Sequence, residues 1–76
     1  MTFNVDLYFN GEDDCVFLEC IKTNDYTIAS FAYDHLFSTV REKAEAMQKT
    51  LTLQLVFFES DGTEHFIKKR VCEVQS

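Results

Sequence analysis

Seventy-six residues with 13 acidic against 7 basic side chains, a formal charge of −6, no proline and two glycines describe one small acidic domain with few long loops. A hydrophobic content of 46%, with eight Phe and three Tyr, excludes a disordered chain, and no apolar run approaches the ~20 residues of a membrane span. The acidity disfavours nucleic acid as a direct ligand, because a phosphate backbone demands Lys and Arg.

Phe3, Val5, Leu7 and Phe9 alternate with Asn4, Asp6, Tyr8 and Asn10. That period of two predicts a half-buried strand. Asn10-Gly11 signals a turn, which Glu12-Asp13-Asp14 extends into an exposed loop. Cys15 to Lys22 is strand-like again, with two possible inward rows. Val16, Leu18 and Cys20 form one; Cys15, Phe17 and Ile21, broken by Glu19, form the other. The first row is expected inward, since Glu19 is then solvated and Phe17 and Ile21 lie outside.

Thr23-Asn24-Asp25 reads as a second turn, and Tyr26 to Phe31 is β-prone enough to predict a third strand or an extension of the helix that follows. Tyr33, Leu36, Val40, Ala44, Met47 and Leu51 recur at helical spacing, with Phe37 widening the stripe. Asp34 is the expected N-cap, in preference to a capping box at Thr39-Val40-Arg41-Glu42. Leu51, Leu53, Leu55 and Phe57 alternate with Thr52, Gln54, Val56 and Phe58 as a further strand, and Ser60-Asp61-Gly62 signals a hairpin. A three-residue loop with Gly62 left-handed sets Leu55 opposite Ile67 and Leu51 opposite Val71. A two-residue loop would pair Leu55 with Lys68 and Leu53 with Arg70, core against charge, so the three-residue register is predicted. His65, Ile67 and Val71 then face the helix.

The expected order is β-β-(β)-α-β-β. It describes an α+β fold of two layers, one helix on a four- or five-stranded antiparallel sheet. Tyr8, Phe17, Val56, Phe58 and Phe66 would lie on the uncovered sheet face, where a cluster of apolar residues marks an interaction surface. MTFNVDLYFN lacks the basic start and apolar middle of a signal peptide. Cys15, Cys20 and Cys72 are too few and too odd in number for a disulfide framework. Reduced thiols and a cytoplasmic setting are expected.

No motif carries catalysis. His35 and His65 stand in no spacing that pairs them with Cys20 or Cys72, and CxxC, HxxxH, GxGxxG and GKS patterns are missing. Cys15 and Cys20, five apart on a regular strand, would point to opposite faces and hold no shared ion. The turn from Asn10 to Asp14 lacks the alternating ligands of a calcium loop. Neither an enzyme, nor a metal, nor a cofactor is expected.

Charge is the functional hint. Asp6, Glu12, Asp13, Asp14, Glu19, Asp25 and Asp34 face only Lys22 in the first 34 residues, while the remainder is balanced. Such an acidic end suits docking on a basic surface. In size, acidity and lack of a catalytic motif the chain is similar to small phage-encoded inhibitors of host defence such as anti-CRISPR proteins. The likeness is one of size and charge and transfers no residue. It implies a protein that blocks or modulates a larger, basic, nucleic-acid-handling partner. The expected contacts are Asp6, Glu12, Asp13, Asp14 and Asp25 as charges, with Tyr8 and Phe17 as apolar anchors. The alternatives are a homo-oligomeric structural or adaptor protein that associates through its open sheet face, and a small enzyme or accessory subunit using His or Cys.

Overall fold

The computed structural model describes residues 1–74. Strands β1 (Thr2–Asn10) and β2 (Cys15–Thr23) precede helix α1 (Tyr26–Met47), and strands β3 (Leu51–Phe58) and β4 (Glu64–Cys72) follow it. All neighbouring strands are antiparallel in the order β2-β1-β3-β4. The fold is therefore α+β with strand-strand-helix-strand-strand order. Because β1 lies antiparallel to both β2 and β3, the latter two run parallel, and α1 is the crossover that such a pair requires. The Cα envelope measures 41 × 28 × 15 Å, its short axis being one helix on one sheet. No helix among the described residues is long and apolar enough to cross a membrane.

Residues Tyr26 to Phe31 are helical, so the sheet has four strands and not five. The N-cap is Asp25, neither Asp34 nor Thr39. Its Oδ1 accepts from the backbone N–H of Thr27 at 2.8 Å and of Ile28 at 3.4 Å, satisfying two donors that the first turn leaves unpaired. The stripe that this start extends is Ala29, Tyr33, Leu36, Val40 and Ala44, all buried. Local β-propensity at Tyr26, Thr27 and Ile28 is overridden by the cap and by the burial of Ala29. The stripe stops at Ala44: Met47 is exposed, and Gln48 takes a left-handed conformation at φ 55°. Bonds from Gln48 N–H to the Glu45 carbonyl and from Lys49 N–H to the Ala44 carbonyl close the helix as a Schellman motif.

Val5 and Leu7 of β1 meet Leu51, Leu53 and Leu55 of β3 under this stripe, and all five are fully buried. Each Leu contributes about 1.5–3 kcal/mol by leaving water. At one end of the same face Phe3 packs between Tyr26 and Phe57, and His65 stacks on Phe57.

Both edge strands carry a bulge, and each bulge corrects an expected facing. The β3–β4 loop is the three-residue one: Glu59 pairs with Thr63, and Gly62 has φ 90°. Near it Phe58 faces Glu64, and Val56 faces Phe66. The register then shifts between Leu55 and Val56, so that Leu55 faces Lys68, Leu53 faces Arg70 and Leu51 faces Cys72. The helix side of β4 thus carries Lys68, Arg70 and buried Cys72 where Ile67 and Val71 were expected. Core against charge is tolerable on an edge strand because long side chains reach over the helix flank. Lys68 Nζ lies 5.4 Å from the Tyr33 ring centroid, and the Arg70 guanidinium carbon 4.0 Å from that of Phe37.

In β2 the shift falls opposite Leu7 and Tyr8. Ile21 and Leu18 both pack on the core, although a regular strand would place them on opposite faces. Phe17 goes to the open face, as does Cys20, which was expected inward. The same bulge brings Cys15 and Cys20 to one face, so the parity argument against a shared ion does not hold. Bulged edges also resist pairing with a further strand.

Candidate functional site

The sheet face opposite α1 has no covering layer. Its residues fall into cross-strand rows set by the register. One row runs Phe17, Tyr8, Thr52, Val71. The next runs Cys20, Asp6, Gln54, Lys69, and the third Lys22, Asn4, Val56, Phe66. Phe58 and Glu64 close the face. Its ionisable side chains, Lys22 and Lys69 against Asp6 and Glu64, cancel. The chain's excess negative charge therefore lies off this face.

The centre of the face is dense. Val56 is fully buried, and Asp6 and Thr52 are each 7% exposed. The Asp6 carboxylate accepts from Gln54 Nε2 at 3.3 Å. Its neighbour across the strands is Cys20, whose pKa is raised first by hydrogen bonding toward the Asp6 carboxylate, then by burial and the Asp6 charge, with Lys22 opposing. Asn4 Oδ1 is buried without a partner among the described residues.

The seven expected contact residues separate in space. Asp6 is shielded in the middle of the sheet and is not a free contact charge. Asp25 caps α1. It lies beyond the far end of β2, about 26–30 Å from the β1–β2 loop at 3.3 Å per residue. Asp34 is on the helix and Glu19 on the helix side of β2, so the acidic segment is not one acidic surface.

Glu12, Asp13 and Asp14 remain, all exposed in the loop between β1 and β2. Gly11 N–H bonds the Asp14 carbonyl at 2.9 Å, and a Cβ at Gly11 would sit 2.8 Å from that oxygen. Glycine is thus required for the tight closure that presents the three carboxylates. Two residues down the strands, Tyr8 faces Phe17 with ring centroids 5.5 Å apart, and Phe17 is 56% exposed. The structure brings five of the seven expected residues together at this tip.

A second apolar patch escaped the sequence reading. Ile28 and Phe31, the latter 71% exposed, lie on the outer side of α1. They became visible only once the helix began at Tyr26, because on a strand Ile28 would count toward an alternating core row.

The catalytic alternative finds no assembled constellation among the described residues. His65 Nε2 lies 3.1 Å from Glu59 Oε2 on the surface, His35 is exposed, and neither hydrogen-bonds a cysteine. All three cysteines are free, with Cys15 directed at Asn10 Oδ1 and Cys72 in the core. No group of three His, Cys, Asp or Glu among the described residues converges to hold a metal. Comparison of the chain with protein-family models, with curated proteins and with solved structures finds no match in any of the three.

Proposed function

We propose that this chain is a binding module whose β1–β2 tip docks on a larger protein with a basic, partly apolar surface and blocks that surface. One observation carries the reading: three exposed carboxylates, Glu12, Asp13 and Asp14, stand beside the exposed Phe17 and its partner Tyr8. Charges at a projecting tip steer encounter, and an aromatic pair next to them supplies contact area that holds the complex. Three adjacent carboxylates are too few to trace a length of phosphate backbone. The reading is therefore of a tip that enters a basic site normally occupied by nucleic acid, in a nucleic-acid-handling partner.

The test uses the partner recovered by affinity capture at low salt. Reversal of Glu12, Asp13 and Asp14 to Lys should slow association about tenfold or more and remove most of its salt dependence. Phe17→Ala should act mainly by speeding dissociation. A triple variant that associates as fast as the parent, with the same salt slope, overturns the reading.

A second reading, self-association through the open sheet face, is favoured by the cancelled charge of that face and by exposed Phe17, Phe66 and Val71. It predicts a molecular mass by light scattering that rises with concentration and falls on Phe66→Glu.

A further inference from the structure

Where the end of β1 meets the connection from α1 to β3, a concavity of about 470 Å³ opens at the surface. Tyr8 and Asn10 of β1, Gln48, Lys49 and Thr50 of the connection, Thr52 of β3 and Lys69 of β4 supply its polar lining. The lining holds two of the chain's seven Lys and Arg and none of its thirteen Asp and Glu. In a protein of net charge −6 that is a local inversion of sign.

The backbone places these groups deliberately. Gln48 is held left-handed by the Schellman closure, which turns the chain so that Lys49 lies along β1, its Nζ 5.5 Å from the Phe9 ring centroid. The β4 bulge puts Lys69, rather than Lys68, on the open face beside Gln54. Neither lysine forms an ion pair among the described residues. Thr52 is 93% buried, being 7% exposed, and lines the concavity. Its hydroxyl makes no side-chain hydrogen bond among the described residues, nor is it one of the sealed unsatisfied atoms. A nearly buried hydroxyl in the lining, with no side-chain partner among the described residues, can donate to a ligand that accepts a hydrogen bond.

We propose that this concavity binds a small phosphomonoester. The lining supplies two ammonium groups, three hydroxyls and two carboxamides, donors enough for a phosphate with three terminal oxygens, whereas a planar carboxylate would use fewer. The space lies within the range of small-molecule sites, about 300–1,000 Å³, and leaves room for an organic group against the Tyr8 ring. The site shares Tyr8 with the docking reading but uses none of Glu12, Asp13, Asp14 and Phe17, so variants at Lys49, Lys69 and Thr52 test it apart from that reading.

The test is an amide chemical-shift titration of the full chain with inorganic phosphate and with phenyl phosphate, sodium chloride holding ionic strength constant. Saturating shifts confined to Tyr8, Asn10, Gln48, Lys49, Thr52 and Lys69 are expected, with phenyl phosphate the tighter probe. Lys49→Met with Lys69→Met should weaken phosphate binding about tenfold or more. Thr52→Val should weaken it while the amide spectrum elsewhere stays unchanged. Shifts that chloride alone reproduces, shifts that fail to saturate, or unaltered binding by the double-Met protein overturn the proposal.

Discussion

The guanidinium carbon of Arg70 lies 4.0 Å from the centroid of the Phe37 ring, joining the edge strand β4 to the flank of α1. Phe37 stands half exposed beside the core stripe, its ring 6.0 Å from that of Tyr33, over which Lys68 reaches. Burial is the main cause raising the Tyr33 pKa, with Arg70 opposing and Asp34 adding. The pair is exposed enough that its coupling should be about 0.5–1 kcal/mol in a double-mutant cycle of Arg70→Met and Phe37→Leu. Additive losses in urea denaturation would show that the guanidinium only covers the ring.

Val40 is fully buried at the middle of the helix stripe. Val40→Asp buries an unpaired carboxylate, a cost that consumes most of the 5–15 kcal/mol typical of a whole domain. The variant is expected to lose its cooperative thermal transition. A cooperative melt near the parent temperature would contradict the packing of α1 on β1 and β3.

At Gly62 the backbone has φ 90°, and a Cβ there would meet nothing within 4 Å. The penalty for Gly62→Val is then backbone strain alone, about 1–2 kcal/mol by chemical denaturation. In the same loop Thr63 holds the Asp61 carboxyl below its usual value, its hydroxyl nearby being the larger influence and its backbone N–H, which donates to Asp61 Oδ1 at 2.9 Å, the second. A lowered folded value stabilises above the ordinary 3.8 and is lost as pH falls through the folded value. The stability difference between the parent and Asp61→Asn should therefore shrink in that acidic window and stay flat at neutral pH.

Gln48 is the one non-glycine residue with positive φ among the described residues. Gln48→Gly should raise stability by about 0.5–1 kcal/mol, since the left-handed strain goes while the Schellman bonds stay. The bond from Gln48 Nε2 to the Glu45 carbonyl, at 2.7 Å, is exposed and offsets little. A lower denaturation midpoint would show that this side-chain bond outweighs the strain.

The thiols should differ in rate. Cys15 is exposed, Cys20 is exposed but held above its usual pKa by Asp6 across the strands, and Cys72 is in the core. Alkylation of the native protein at mildly alkaline pH, read by mass spectrometry, should proceed in that order, with three adducts after denaturation. Asp6→Asn should lower the Cys20 pKa and speed its modification, because thiolate is the reacting form. No change in rate would remove Asp6 as the cause.

By itself the sequence determined what local periodicity can encode. The alternation in β1 and β3, the helical spacing from Tyr33 to Ala44, the left-handed Gly62 and the outward facing of Tyr8 follow from single-strand or single-turn physics. Tertiary structure decided what depends on competition between elements. Tyr26 to Phe31 joined the helix because the Asp25 cap and a buried Ala29 outweigh β-propensity. The edge strands took bulges because only one side of each is paired, which leaves room for an extra residue and for Arg70 and Lys68 to reach over α1. Seven acidic side chains close in sequence were scattered to a loop, a sheet centre, an edge strand, a cap and a helix. Proximity along the chain places charges in space only as far as a single turn or hairpin extends.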